Sequence, residues 1–194
     1  MKTILFISQL DINLIKFRLP VMTHLVAKGW RVIAMVPKGN YSDEFNKHGI
    51  ETRWYSLNRK SINPIKELCT VIQYIKIIKN TSPDIVHAFT FKPNIYGGIM
   101  ARILGVKTVI TSITGMGAFF SERTLKARMM QTVITMIYRV VSLFTHAMLF
   151  QNKDDQQWFI DKKIIKATKT VCVRGSGIDT KDWSMKRQYP TKKV

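Results

Sequence analysis

Seven short runs rich in β-branched and aromatic residues alternate with helix-period segments along this chain, and that alternation restricts the fold more than any other feature. The runs are Thr3 to Ser8, Arg31 to Val36, Glu51 to Leu57, Ile85 to Phe89, Val106 to Ser112, Ala147 to Phe150 and Thr170 to Val173. Between them the spacing predicts a loop and then a helix opening near Pro20 and ending at Lys28-Gly29. A short helix is expected from Ser42-Asp43-Glu44 to Gly49. Asn63-Pro64 opens a helix with Ile65, Leu68, Ile72, Ile75 and Ile78 in period. Further helices follow from Pro93 to Leu104, from Leu125 onward, and from Asn152 to about Ile164. Strands separated by helices long enough to cross over imply βαβ units and a parallel sheet. The expectation is an α/β, Rossmann-like, doubly wound parallel sheet of seven strands over residues 1–180. Residues 181–194 read as a basic linker or tail.

A chain of 194 residues suits one well-cored domain, and 46% hydrophobic residues exclude a disordered polypeptide. Its formal charge is +19, with the basic residues scattered from Lys2 to Lys193. A broad electropositive surface calls for an anionic partner such as nucleic acid, anionic lipid or a phosphorylated ligand. Cys69 and Cys172 stand in no metal-ligand spacing and read as small core residues. The N-terminal apolar run is too short for a signal peptide, so a reduced, cytoplasmic setting is expected. Residues 125–150 are strongly apolar. Arg128, Gln131, Thr135, Arg139, Ser142 and His146 nevertheless recur as a polar stripe, which predicts an amphipathic helix and not a membrane span.

In open parallel sheets, ligands bind beyond the carboxyl ends of the strands. No GxGxxG or GxxxxGK[ST] motif occurs, so dinucleotide and P-loop binding are not expected. After the fourth run come Phe91, Lys92, Pro93, Asn94 and Tyr96. Lys92 just ahead of a helix N-terminus makes a candidate anion site; equally, Pro93 starts the helix and Gly97-Gly98 allow close helix–sheet packing. After the fifth run, Thr114-Gly115-Met116-Gly117 either admits a ligand to the backbone or is an ordinary turn. After the seventh, Arg174-Gly175-Ser176-Gly177-Ile178-Asp179 is a cleft loop or an exit from the domain. His87 in the fourth run reads as structural, and Asp154-Asp155 as first-turn acids serving the helix dipole. No Ser/His/Asp or Cys/His set can be assembled from spacing.

Taken in order, His87 to Gly97, Thr114 to Phe120, Phe150 to Asp155, Gly175 to Asp179, and the helix entry Phe17-Arg18-Leu19-Pro20 resemble the N-terminal domain of family-four GT-B glycosyltransferases. The closest look is to those building lipid-linked O-antigen, capsule or protein-glycan precursors. The resemblance implies one of two Rossmann-like lobes facing a cleft. This lobe receives a polyprenyl-diphosphate-linked sugar, and a C-terminal lobe binds a nucleotide-sugar, a UDP-sugar, as co-substrate. Transfer with retention, no cofactor and no metal are also implied. It places Arg18, Phe91, Lys92, Asn94, Tyr96, Thr114, Gly115 and Gly117 along the acceptor side, with Arg18 meeting the diphosphate. Gly175, Ser176, Gly177 and Asp179 mark the crossing toward the donor lobe. That lobe has no counterpart in these residues and would be supplied in cis or in trans, so the chain alone is expected to bind acceptor but transfer little.

A membrane-borne acceptor gives the charge a purpose at an anionic lipid surface. The 125–144 helix, rimmed by Arg123, Lys126 and Arg128, would then lie in the interface; the competing expectation is that its apolar face packs on the sheet. The setting implied is peripheral, on the inner face of the cytoplasmic membrane. A nucleic-acid-binding module finds support in charge but in no recognition motif, and no nucleic-acid partner is expected. A non-catalytic scaffold subunit of the same fold remains an alternative, as does a UDP-sugar epimerase, whose acidic and histidine positions are not identifiable here.

Overall fold

The computed structural model describes residues 1–41, 43–57, 63–116 and 124–176, apart from the side chain of Lys126. The expected runs become β1 (Thr3–Ile7), β2 (Arg31–Val36), β3 (Glu51–Trp54), β4 (Ile85–Phe89), β5 (Thr108–Ile113), β6 (Ala147–Phe150) and β7 (Thr170–Cys172). They form a seven-stranded sheet in the order β3-β2-β1-β4-β5-β6-β7, every neighbouring pair parallel. This is the doubly wound arrangement, with its switch point between β1 and β4. The helices are α1 (Asp11–Phe17), α2 (Leu19–Ala27), α3 (Glu44–Lys47), α4 (Pro64–Thr81), α5 (Phe91–Ile103), α6 (Leu125–Phe144) and α7 (Lys153–Asp161).

Strand side chains alternate between two cores. Ile4 and Phe6 point to Leu14, Met22 and Phe45 of α1, α2 and α3. Leu5 and Ile7 point to Tyr74 and Ile78 of α4 and Ala101 of α5. A third cluster joins Met148 and Phe150 of β6 to Tyr138 and Val141 of α6 and Phe159 of α7. Central strands covered on both faces explain why their sequences are apolar without a break. Helix starts follow their capping residues. Asn63 Oδ1 accepts from the Ile65 and Lys66 amides at 3.0 and 3.4 Å, and Asn152 Oδ1 from Asp155 N at 2.7 Å. Asp155 returns the contact through Asn152 Nδ2 at 2.9 Å, so this acid serves a cap, in keeping with the dipole reading.

Several expectations change. The stretch read as a loop before Pro20 holds α1, which turns Leu14 inward; only a single short face of it is apolar, so periodicity was too brief to reveal it. Cys69 is exposed and Cys172 half-buried, so neither is a core residue. On α4 the row Ile65, Leu68, Ile72 faces solvent, while Thr70, Tyr74, Ile78 and Thr81 face the core. β5 begins at Thr108, because the Val106 amide is used to close α5, donating to Ala101 O at 3.0 Å. On α6, Ser142 is buried at 8% and Gln131 and Thr135 are half-buried, so the expected polar stripe lies along a flank of that helix.

Candidate functional site

β1, β4, β5 and β6 end side by side, and the loops leaving them enclose three adjoining cavities at the switch point. The first, about 250 Å³, lies between Asn13 and Phe17 of α1 and Thr90, Thr114, Gln151 and Ser176. The second, about 300 Å³, runs under α2 past His87, Phe89 and Leu149 to Val173. Arg18 stands in the wall of both. The third, about 140 Å³, opens between Phe91 and Asn94 on one side and Thr114, Gly115, Met116 and Tyr138 on the other.

Arg18 is the junction of α1 and α2, where the chain breaks from helical geometry at φ −128°, ψ −10°. Its guanidinium lies over the Phe89 ring, 4.8 Å from the centroid, and Nη1 donates to Phe17 O at 3.1 Å. Gln151, with its amide oriented to satisfy both ends, accepts from Arg18 Nη2 at 2.7 Å and from Ser176 Oγ at 2.9 Å, and donates to Thr114 O at 3.3 Å. Among the described residues no carboxylate pairs with Arg18. Desolvation by burial lowers its pKa, although an arginine remains charged at any physiological pH. The result is a half-buried cation held by neutral partners, a state that an anion would relieve.

β4 delivers Thr90 to the same place with φ 74° and ψ 169°, a backbone conformation that a side chain rarely tolerates. Such strain costs on the order of 1–3 kcal/mol and persists only where the surroundings fix it. Asn94, fully buried one turn into α5, donates through Nδ2 to Ser112 O at 2.9 Å. Among the described residues its buried Oδ1 has no partner, and Asn94 lines the third cavity.

His87 reaches the floor of the second cavity, its Nε2 2.8 Å from Ser112 Oγ. Burial, with Arg18 nearby as a lesser cause, pushes its pKa from 6.5 down to about 3. The imidazole is therefore neutral at physiological pH. Between these two values the unfolded chain holds a proton that the native state does not, so stability falls as pH drops from 6.5 toward 3. We expect His87→Phe to remove part of that acid sensitivity. Relative to wild type, it should gain about 2 kcal/mol in urea unfolding at about pH 4.5 over neutral pH; equal pH slopes for the two proteins would refute it.

The sequence-derived set divides. Arg18, Phe91, Asn94, Thr114, Gly115, Gly175 and Ser176 all line the cavities. Lys92 and Tyr96 do not: Lys92 Nζ pairs with Glu67 Oε1 at 2.6 Å and Tyr96 Oη donates to Glu67 Oε2 at 2.6 Å. Lys92, expected as part of an anion site, is thus found paired with Glu67. Successive helical residues point about 100° apart, so α5 presents Phe91 and Asn94 to the cavities and turns Lys92 and Tyr96 toward α4. Gly117, Gly177, Asp179 and Arg123 lie outside the described residues, as does the side chain of Lys126; Arg128 is exposed. Sequence reasoning passed over Asn13, Phe89, Thr90 and Gln151. Gln151 follows directly on β6, so its place at a strand's carboxyl end was the signal available. Among the described residues no cluster of three His, Cys, Asp or Glu is placed to hold a metal ion.

Fold and site together define a Rossmann-like lobe whose cleft, at the carboxyl ends of a parallel sheet, carries a cation without a carboxylate partner among the described residues. The chain belongs to the glycosyl transferase 4-like family, whose model matches residues 3–152. It is 24% identical over 176 residues to the N,N'-diacetylbacillosaminyl-diphospho-undecaprenol alpha-1,3-N-acetylgalactosaminyltransferase of Campylobacter jejuni, an alignment covering 91% of this chain and 46% of that protein. Among solved structures it is similar to MnaA of S. aureus with UDP (TM-score 0.67, 16% identity, 98% of this chain and 48% of that one). A glycosyltransferase of Rickettsia africae gives TM-score 0.63 at 18% identity, covering 89% and 42%. MurG of Acinetobacter baumannii gives 0.62 at 16%, covering 94% and 47%. The chain spans about half the length of each of these proteins, and the structural likenesses establish the fold, a GT-B-type lobe.

Proposed function

We propose that this chain is the acceptor-side lobe of a glycosyltransferase that moves a sugar from a UDP-sugar to a polyprenyl-diphosphate-linked sugar, working with a donor-binding lobe supplied in cis or in trans. The single observation carrying this reading is Arg18. It is half-buried, has no carboxylate partner among the described residues and borders two cavities. A planar guanidinium has the geometry to bind a diphosphate in a water-poor cleft. Arg18 is itself the N-cap of α2, and a helix N-terminus favours a nearby anion. The third cavity then receives the acceptor sugar, beside Phe91 and Tyr138 and above the buried Asn94. The Campylobacter relative's name describes transfer onto a diphospho-undecaprenol-linked sugar, which supports the same class of acceptor here.

Binding of a short-chain polyprenyl-diphosphate-linked N-acetylhexosamine to this chain tests the reading. Saturable binding that requires the diphosphate is expected. Equal affinity for the free sugar, or no binding, would overturn it. We further propose a peripheral position on the inner face of the cytoplasmic membrane; among the described residues no helix is long and apolar enough to cross one.

A further inference from the structure

Helix α6 has two apolar faces. Its inner face buries Ala127, Tyr138 and Val141, with Ile134 and Ile137 packed beside them, as one of the sequence expectations required. On its outer face Leu125, Met129, Val133, Met136, Val140 and Leu143 form one unbroken row at helical spacing. All are exposed, Leu125 and Leu143 at 76% each and Met129 at 65%. Nothing described covers this row, which runs about 30 Å along the helix. A contiguous apolar strip of that size marks an interaction surface.

The row ends in an open groove of about 640 Å³ between α6 and the segment after α7. Leu143 and Ile160 give it an apolar floor, and Lys163, Lys166 and Lys169 stand around it. Arg139 ties the two walls together, donating from Nη2 to Lys162 O at 2.8 Å, and Lys169 Nζ donates to Thr145 O at 3.1 Å. α6 itself contains no Asp or Glu. Arg128, Arg139, Lys162, Lys163 and Lys166 are exposed around the row. Asp161, at the end of α7 beside these lysines in sequence, accepts from Gln157 Nε2 at 2.8 Å.

We infer that the outer face of α6 docks on an anionic phospholipid bilayer, with the row entering the acyl boundary and the Lys163–Lys166–Lys169 groove taking a lipid phosphate. Charge decides the occupant. A second copy would bring another +19 chain against this one, whereas anionic headgroups neutralise the lysines. An apolar row rimmed by arginine and lysine is the pattern of a helix lying in the interface plane. The same helix lines the third cavity with Ile134 and Tyr138. A bilayer on its outer face would thus lie one helix diameter, about 10 Å, from the proposed sugar site. The purpose of the surface rests on the acceptor reading above; its affinity for lipid does not.

Cosedimentation with phosphatidylcholine vesicles, with and without phosphatidylglycerol, tests it. Wild type is expected on the anionic vesicles and far less on the neutral ones. Met129→Glu/Met136→Glu should lose binding on the order of a hundredfold at any salt. Lys163→Ala/Lys166→Ala should lose about fivefold per lysine and much of the salt dependence. The altered side chains are exposed, so both variants should melt with wild type. Wild-type partitioning by Met129→Glu/Met136→Glu overturns the proposal. So does light scattering that shows a dimer split by that variant while vesicle binding stays intact; the row would then be an interface between copies. A protein that binds vesicles but not the diphosphate-linked sugar keeps this surface and loses the acceptor reading, and the reverse result does the opposite.

Discussion

Arg18→Ala is expected to weaken binding of a polyprenyl-diphosphate-linked sugar by roughly thirty- to a hundredfold. Charge-assisted hydrogen bonds to an anion in a partly buried site contribute about 2–3 kcal/mol, and 1.4 kcal/mol is about tenfold in Kd. The loss falls on affinity and not on folding. Burial already disfavours the charged guanidinium, and its partners Phe17 O, the Phe89 ring and Gln151 are neutral. Removing the cation therefore strands no carboxylate among the described residues, and the melting temperature should stay at or slightly above that of wild type. Arg18→Lys should recover only part of the affinity, since an ammonium is a point charge and cannot present two parallel donors to a diphosphate. The measurement is calorimetric titration of both variants with the diphosphate-linked sugar. Wild-type affinity in Arg18→Ala would move the diphosphate away from the α1–α2 junction and remove the chief support for the function proposed.

Gly97→Val should cost more than about 3 kcal/mol, enough to leave most of the protein unfolded if its stability is ordinary for its size. A Cβ at Gly97 would lie 2.9 Å from Ile7 Cδ1 and 3.3 Å from Tyr74 Cε1, both in fully buried side chains. α5 rests on β1 and β4 at a distance only glycine permits. Ile7 cannot retreat, because it is packed on every side within the first core. Two further methyl groups on valine deepen the overlap. Gly97→Ala should be much milder, since gained helix propensity of about 0.5–1 kcal/mol offsets part of the contact. Urea midpoints at neutral pH check both. A Gly97→Val midpoint equal to that of wild type would show that helix and sheet are not in contact there.

Function and fold were legible in the sequence to different depths. The strands were readable because both sheet faces are covered, which leaves continuous apolar runs with few competing explanations. The reading of Gly97-Gly98 as a packing device also holds, since the contact is local to one helix and the strands beneath it. The pairing of Lys92 was not legible, for the opposite reason. Proximity to a helix N-terminus in sequence says nothing about which way a side chain leaves the axis, and Glu67, its partner, lies 25 residues earlier. Gln151 and Arg18 meet across more than half the chain, and no local pattern in either segment announces the contact.

By itself, the sequence determined the periodicities: strand, helix, the doubly wound order they imply, and an excess of positive charge. Those are properties of neighbouring residues, set by backbone geometry and solvent. Only the tertiary structure decided which face of each helix is inside. On α4 it put a tyrosine in the core and an isoleucine row in water, and on α6 it left one apolar face against the sheet and the other uncovered. It also decided, among the described residues, that Lys92 pairs with a carboxylate, Glu67, and that Arg18 rests on neutral partners. The physical reason is that burial and charge pairing are settled by atoms distant along the chain, competing for the same space.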